Sequence, residues 1–207
     1  MRFFGVWGQA KRQRCAGNAA HHHATTCQAP FDWHVRMGIH EAYHQSRGNR
    51  WVHWVSIPIE MFATITLLSL WRWGESIDFG LLTILALGVI YVTAEPVLGT
   101  ALSALMVAMW WLARALTPQP HLCIGILSVA VVAIAFVAQL RVGHALFEGG
   151  RDDTELNLRE FKRTHNPIPL LLVFFYHYVD VAFRAGYRPA VRKCVARYAA
   201  AELAAEQ

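Results

Sequence analysis

The order of apolar and polar positions divides the chain into a polar beginning, four long apolar segments and a polar, basic end. The apolar segments cover residues 54–73, 79–94, 97–116 and 122–140. Each is close to the roughly 20 residues that an α-helix needs to cross the hydrocarbon core, although the second is shorter. Short connections force successive helices to run antiparallel. The pattern therefore predicts an all-α integral membrane bundle of four transmembrane helices.

A fifth apolar stretch, residues 170–183, is shorter and contains His177 and Asp180. Its length and polarity predict a C-terminal helix that lies in the interface or re-enters the membrane. The first residues are basic and rich in His and Ala, which predicts a disordered tail, with a transit peptide as the alternative. Three predicted regions follow: a tail at 1–30, a membrane-embedded catalytic domain at 31–190 and a C-terminal helical tail at 191–207.

Small side chains are concentrated in the third apolar segment. Helices in lipid approach one another most closely where such residues lie. We therefore expect helix contacts at four positions of this segment: Gly99, Ala101, Ser103 and Ala104.

Composition and charge agree with a membrane protein. The chain is 55% hydrophobic with eight Trp, and its formal net charge is +5. The basic residues lie near both ends of the chain, and the exceptions are Arg72 and Arg114, close to the ends of the first and third apolar segments. The charge therefore reflects membrane topology and not nucleic-acid binding. The positive-inside rule predicts cytoplasmic termini, in the endoplasmic reticulum if the source is eukaryotic and in the inner membrane if it is bacterial. The scattered cysteines indicate neither a disulfide framework nor a zinc ribbon.

Residues with metal-ligand chemistry precede the first apolar segment or follow the fourth. His40, His44 and His53 belong to the first group, and His144 with Glu148 to the second. An even number of crossings brings both groups to one membrane face. If the fourth helix continues through residue 148, His144 and Glu148 share one side of it. Imidazoles with a carboxylate are the ligands of mononuclear non-heme Fe(II) sites that activate O₂.

Other functions are compatible with parts of this pattern. His40, Glu41 and His44 spell the His-Glu-x-x-His motif of zinc metalloproteases, so a zinc membrane protease is one alternative. A diiron enzyme is disfavoured, because the sequence has no His-x-x-His-His box. A membrane scaffold or lipid-binding protein without catalytic activity is the other alternative.

Residues 43–58, YHQSRGNRWVHWVSIP, resemble the N-terminal motif of the 2-hydroxy fatty acid dioxygenase family, whose members are small multispanning proteins. A Gly-His followed by Phe-Glu after the last long helix resembles the family's second motif. An acidic residue before FRAGYRP resembles a third. The matching positions are Tyr43, His44, Asn49, His53 and Pro58, then Gly143, His144, Phe147 and Glu148, then Asp180 with residues 183–189.

The resemblance implies an Fe²⁺-dependent enzyme that uses O₂ to shorten a long-chain 2-hydroxy fatty acid by one carbon. His44, His53 and His144 are the implied Fe²⁺ ligands. The implied catalytic set adds Glu148, as a ligand or as an acceptor that orients a histidine. The candidates for a fourth ligand are His177, His165 and His40.

Further residues are assigned supporting roles. Asn49 lies between His44 and His53 in SRGNR, a turn-prone stretch, so its amide is expected to set the spacing of the two histidines. Tyr43 and Asp180 belong to the matched motifs. Three cationic side chains are candidates for attracting the substrate carboxylate: Arg47, Arg50 and Arg141.

Overall fold

A computed structural model describes residues 33–73, 77–116, 122–151, 157–158, 161–163 and 165–205. The predicted tail at residues 1–30 lies outside the described residues. The chain forms two compact units. One is Tyr43–Ala182, and the other contains the described residues 33–42 and 183–205. The predicted division at residues 30 and 190 stays a prediction.

The described chain is predominantly helical, as predicted. Its elements, in chain order, are α1 (Trp33–Ala42), α2 (Arg47–Ser69), β1 (Arg72–Trp73), β2 (Ile77–Asp78), α3 (Phe79–Ala94), α4 (Pro96–Leu116), α5 (Leu122–Val137), a π-helical segment (Ala138–Phe147), α6 (Ile168–Leu171), α7 (Val173–Arg184) and α8 (Pro189–Ala205). The two strands form a short antiparallel pair, with Arg72 opposite Asp78.

Among the described residues, three helices are long and apolar enough to cross a membrane. They are Arg47–Ser69, Pro96–Leu116 and Leu122–Phe147, the last combining α5 with the π-helical segment. Helix α3 is apolar but has 16 residues. The structure therefore agrees with a helical membrane protein. The remaining predicted span, residues 79–94, is the shorter helix α3.

Helix α2 begins before the apolar pattern does. Ser46 is its N-cap, and the Ser46 hydroxyl accepts hydrogen bonds from the backbone N–H groups of Gly48 and Asn49. This cap satisfies donors that the first turn leaves without intrahelical partners. The polar stretch SRGNR is therefore the first turn of a helix, and its interpretation as a turn-prone connection was wrong.

The expected small-residue contacts on α4 are correct for two of the four positions. A Cβ at Gly99 would collide with the backbone of Tyr91, and Ser103 lies beside Gly88 of α3. Ala101 and Ala104 are exposed. Gly99 and Ser103 are four residues apart and share one helix face, whereas the two alanines lie on the opposite side. Whether a small residue of α4 contacts another helix therefore depends on the helix face on which it lies, and not on its size alone.

The predicted C-terminal helix consists of two helices, α6 and α7. The Tyr91 hydroxyl of α3 donates to the Leu171 carbonyl at the end of α6, at 3.1 Å. Phe175 of α7 stacks on the Tyr91 ring. These contacts hold the segment that carries His177 against α3. In the other unit, α1 packs on α8, where Gly38 lies directly against Tyr198.

Candidate metal centre

Four buried imidazoles meet in the larger unit. His53 comes from α2, His144 from the π-helical segment, His177 from α7, and His44 from the segment just before α2. The His44 ring centroid lies 4.8 Å from that of His53, 4.9 Å from that of His144 and 5.0 Å from that of His177. None of the four side chains is more than 6% exposed. The sequence motifs therefore converge on one buried cluster.

The ligand atoms of three of these histidines are close enough for a shared ion. The relevant nitrogens of His44, His53 and His144 all lie within 4.8 Å of one another. Two imidazoles bound to one ion at about 2.1 Å each are at most about 4.2 Å apart. The observed spacing is within small side-chain adjustments of that limit. His177, one of the predicted fourth candidates, stacks on His53 with a centroid distance of 4.6 Å.

Backbone carbonyls orient two of the rings. The Nδ1 atom of His53 lies 2.9 Å from the Asn49 carbonyl oxygen, and Nδ1 of His144 lies 2.8 Å from the Arg151 carbonyl oxygen. In each pair Nδ1–H donates, because a carbonyl only accepts. The proton is then on Nδ1 and the lone pair is on Nε2, which is the tautomer that a metal needs. His53 and His144 are therefore arranged as Nε2 donors.

Helix α2 and the π-helical segment approach each other closely beside the cluster. A Cβ at Gly143 would lie 2.5 Å from Asn49 Oδ1 and 3.0 Å from His53 Cε1, so the position has no room for a side chain. Asn49 is fully buried. Gly48 packs in the same way against the Phe147 ring. Glycine at these two positions allows the rings of His53 and His144 to come together.

Glu148 is the C-cap of the π-helical segment. Its Oε1 accepts a hydrogen bond from the Ser46 backbone N–H at 2.6 Å and lies 3.4 Å from Asn49 Nδ2, which also donates to it. The carboxylate thus lies at the N-terminus of α2, where the helix dipole stabilises negative charge. The condition for a shared face of His144 and Glu148, a helix that continues through residue 148, is not met, because the helix ends at Phe147. Its hydrogen bonds hold this carboxylate against Ser46 and Asn49.

Two arginines contact the residues around the cluster. The Arg50 guanidinium donates to the His44 carbonyl at 2.8 Å. The Arg151 guanidinium lies over the Tyr43 ring, 5.4 Å from its centroid. Arg47 and Arg141 are exposed. Arg50 is therefore a structural contact of the segment that carries His44, and a role in binding a carboxylate stays a prediction for all three candidate arginines.

The other sequence candidates have different surroundings. His165 is exposed and has a positive φ of 54°. Within the described part of the chain, it belongs to no group of potential metal ligands. His40 is buried on α1, which belongs to the other unit. Asp180 is buried on α7, three residues after His177, so the two share a helix face. Their roles as ligands or supporting residues stay predictions.

The zinc-protease motif does not lie on one helix. In metalloproteases of this type, the two histidines are one turn apart on a continuous helix. Here α1 ends at Ala42, and residues 44–46 are not helical. His40 and His44 therefore lack the shared helical frame that the motif requires.

Some residues of the site gave little or no signal in the sequence. The carbonyls of Asn49 and Arg151 contribute backbone atoms, which no side-chain pattern identifies. Glu60 is buried on α2, and its Oε2 accepts a hydrogen bond from Gln139 Nε2 at 2.6 Å. Glu60 did leave a signal in the sequence, because an acidic residue within an apolar segment often has a functional role.

Comparison with protein-family models, curated proteins and solved structures finds no match to this chain. The resemblance to 2-hydroxy fatty acid dioxygenases therefore rests on the motif residues.

Proposed function

We propose that this protein is an Fe²⁺-dependent dioxygenase that shortens long-chain 2-hydroxy fatty acids by one carbon at the cytoplasmic membrane face. The observation that carries the proposal is the buried cluster of His44, His53, His144 and His177. In two of these rings a backbone carbonyl accepts the Nδ1 proton, which leaves the lone pair on Nε2 as a potential metal ligand. A set of neutral imidazoles suits Fe(II). The motif resemblance supplies the reaction class and the substrate.

The proposed reaction balances without another reductant. A 2-hydroxy acid and O₂ give the acid one carbon shorter, CO₂ and water, and the two cleaved carbons supply the four electrons that reduce O₂. Bound Fe²⁺ would supply O₂ activation and a chelation point for the adjacent hydroxyl and carboxylate oxygens of the substrate. The protein's contribution is to fix the donor nitrogens, to exclude water and to hold the substrate in register.

The residues around the histidines have positioning roles in this proposal. The Asn49 and Arg151 carbonyls hold the Nδ1 protons of His53 and His144. Glu148 accepts hydrogen bonds from the Ser46 backbone and the Asn49 amide, and so holds the start of α2 at the end of the π-helical segment. Such outer contacts typically change metal affinity by about 10- to 100-fold. Glu148 is accordingly proposed as a positioning carboxylate outside the ligand set.

An apolar groove on α2, lined in part by the residue next to His53 in the chain, supports an acyl substrate. It has a volume of about 610 Å³ and lies between α2 and the end of α5. Val52, next to His53, and Ser56, one turn beyond, belong to its wall. An acyl chain in the groove would have its polar end at the level of the histidines. The full lining is Trp51, Val52, Val55, Ser56, Ile59, Val131, Ile134, Ala135 and Ala138.

Four membrane crossings are part of the proposal. The hydrogen bond from the Ser46 backbone to Glu148 joins the start of α2 to the end of the π-helical segment. The chain must therefore leave and regain one membrane face between these residues, which requires an even number of crossings. Three helices qualify by length, so α3 is proposed as the fourth. At 16 residues it is about 24 Å long, a mismatch that local bilayer thinning can accommodate. The positive-inside rule then assigns the shared face to the cytoplasm.

The experiment that tests this function is metal analysis combined with turnover on purified protein. We expect one Fe²⁺ per chain, with O₂ consumption and formation of the shortened acid from a long-chain 2-hydroxy acid. His144→Ala and His177→Ala should lose iron and turnover, whereas His165→Ala, at an exposed histidine, is the matched control. Zinc in the wild type with no iron-dependent turnover would overturn the proposal. Loss of activity in Glu41→Gln with retention in His144→Ala would favour the protease.

A further inference from the structure

Glu60 and Gln139 form a polar pair inside the proposed membrane region. Glu60 lies on α2 and is 8% exposed, and Gln139 is the second residue of the π-helical segment. Their side chains are joined at 2.6 Å, with Gln139 Nε2 donating to Glu60 Oε2. Ionisable residues within membrane-spanning helices are costly, and those that persist have identifiable partners and roles. Neither residue has a described contact with the histidine cluster, so an effect of this pair on the cluster would be indirect.

Glu60 lies on the same face of α2 as the cluster. It follows His53 by seven residues, and seven residues at about 100° each return to nearly the same direction. Asn49, His53, Ser56 and Glu60 are all buried and fall within a sector of about 60° on this helix. This polar stripe faces the π-helical segment at two levels, through Gly143 against Asn49 and through Gln139 against Glu60.

The π-helical geometry links Gln139 to His144. Its hydrogen bonds join residues five positions apart, so Gln139 and His144 lie on adjacent turns of one side. In an α-helix, residues five apart would point about 140° away from each other. Gln139 reaches Glu60 and His144 reaches His53 together only while the segment stays π-helical. π-Helical turns are frequent at functional sites.

We propose that the Glu60–Gln139 hydrogen bond is a positioning contact for the metal centre. It holds the beginning of the π-helical segment against α2, while Gly143 and the Arg151 carbonyl hold its other end. Without it, the segment can relax to α-helical geometry and rotate His144 away from His53. This inference rests on the proposed metal site and concerns how that site is assembled.

The test uses an exchange of the two side chains, because Glu and Gln have the same shape. Glu60→Leu and Gln139→Leu should each lower affinity for Fe²⁺ roughly tenfold or more. They should also change the visible absorption spectrum of the Co²⁺-loaded protein, which reports ligand geometry. Gln139→Glu places two carboxyl groups together and should weaken binding, whereas the double variant Glu60→Gln/Gln139→Glu recreates the pair and should restore affinity and spectrum. Thr66→Val is the control, since buried Thr66 bonds only to Phe62 of its own helix in the described contacts.

The outcomes separate this inference from the proposed function. A wild-type protein that binds neither Fe²⁺ nor Co²⁺ overturns both. A wild type that binds metal, with Glu60→Leu or the exchange series unchanged in affinity and spectrum, overturns only the positioning role. Failure of the double variant to restore what Gln139→Glu loses also overturns it. If the leucine variants do not fold, Gln139→Glu and the double variant still decide the question.

Discussion

His53 Nδ1 lies 2.9 Å from the carbonyl oxygen of Asn49, one turn earlier on the same helix. The acceptor belongs to the backbone, so the orientation of His53 depends on α2 being helical at Asn49 and not on the asparagine side chain. The side chain has a separate function, because its Nδ2 donates to Glu148 and its Oδ1 packs against Gly143. One residue therefore connects the ligand face of α2 to the π-helical segment.

This arrangement predicts different results at the two positions. His53→Ala removes a proposed ligand and should abolish iron binding. Asn49→Ala keeps the carbonyl but loses the contact with Glu148, so iron should bind roughly 10- to 100-fold more weakly. Metal titration of both purified variants checks this, with His40→Ala as a comparison variant that should bind iron like the wild type. Equal loss of iron in Asn49→Ala and His53→Ala would contradict the distinction.

Gly143→Ala tests the close contact of the two helices. The added Cβ would meet Asn49 Oδ1 at 2.5 Å and His53 Cε1 at 3.0 Å, so the helices must separate. We expect a loss of about 1–3 kcal/mol in stability, typical of overpacking, together with weakened iron binding. Gly125→Ala on α5 is the matched control, because its Cβ would lie 3.4 Å from Leu70 Cδ1, an ordinary contact. Thermal unfolding and iron titration should separate the two variants; indistinguishable behaviour would show that the contact is not tight.

The apolar pattern predicted the helix cores well and their ends poorly. The predicted segment at 79–94 coincides with α3, and that at 97–116 differs from α4 by one residue. Helix α2 begins seven residues before its apolar segment, because Ser46 and Glu148 satisfy the polar first turn. Capping by a residue 102 positions away has no local signature. The π-helical segment was likewise invisible, since its geometry depends on contacts across to α2.

The histidines were predictable in identity, and their arrangement was not. Spacing and motif resemblance selected His44, His53 and His144, and the fold brings their ligand atoms within 4.8 Å. The place of His177 beside His53 was not predictable from spacing, because it depends on the contacts of Tyr91 that hold α6 and α7 against α3. Glu148 lies in an i, i+4 relation that suggested a shared ligand face, but the end of the helix redirected its carboxylate to Ser46.

The proposed membrane topology predicts the sidedness of three positions. Gln45 and Arg151 are exposed and flank the proposed shared face, while native Cys123 is exposed at the start of α5, near the opposite face. We expect a membrane-impermeant thiol reagent to label Gln45→Cys and Arg151→Cys from one side and Cys123 from the other. The introduced cysteines are tested in a background in which the native cysteines are Ser. Labelling of Gln45→Cys and Arg151→Cys from opposite sides would mean an odd number of crossings and would refute the four-helix arrangement.

The groove between α2 and α5 predicts a dependence on acyl chain length. Ala135 is buried in its wall, and the neighbouring wall residue Ala138 begins the π-helical segment, so Ala135→Trp and Ala138→Leu should fill part of the space. Burial of a methylene contributes about 0.8 kcal/mol, so displacing two from the groove should raise the KM for a long-chain 2-hydroxy acid about tenfold. Turnover of a short-chain 2-hydroxy acid should change little, because its polar end still reaches the histidines.

A second apolar groove provides the control for chain length. Ile126→Trp alters the groove lined by Leu67, Leu70 and Trp71, which shares no residue with the first. Steady-state kinetics over a series of chain lengths should show the long-chain penalty for Ala135→Trp and Ala138→Leu and none for Ile126→Trp. A uniform loss over all chain lengths would instead indicate damage to the metal centre. An equal long-chain penalty in Ile126→Trp would place the acyl chain elsewhere on the helices, because a groove that binds the chain must discriminate by the length it accommodates.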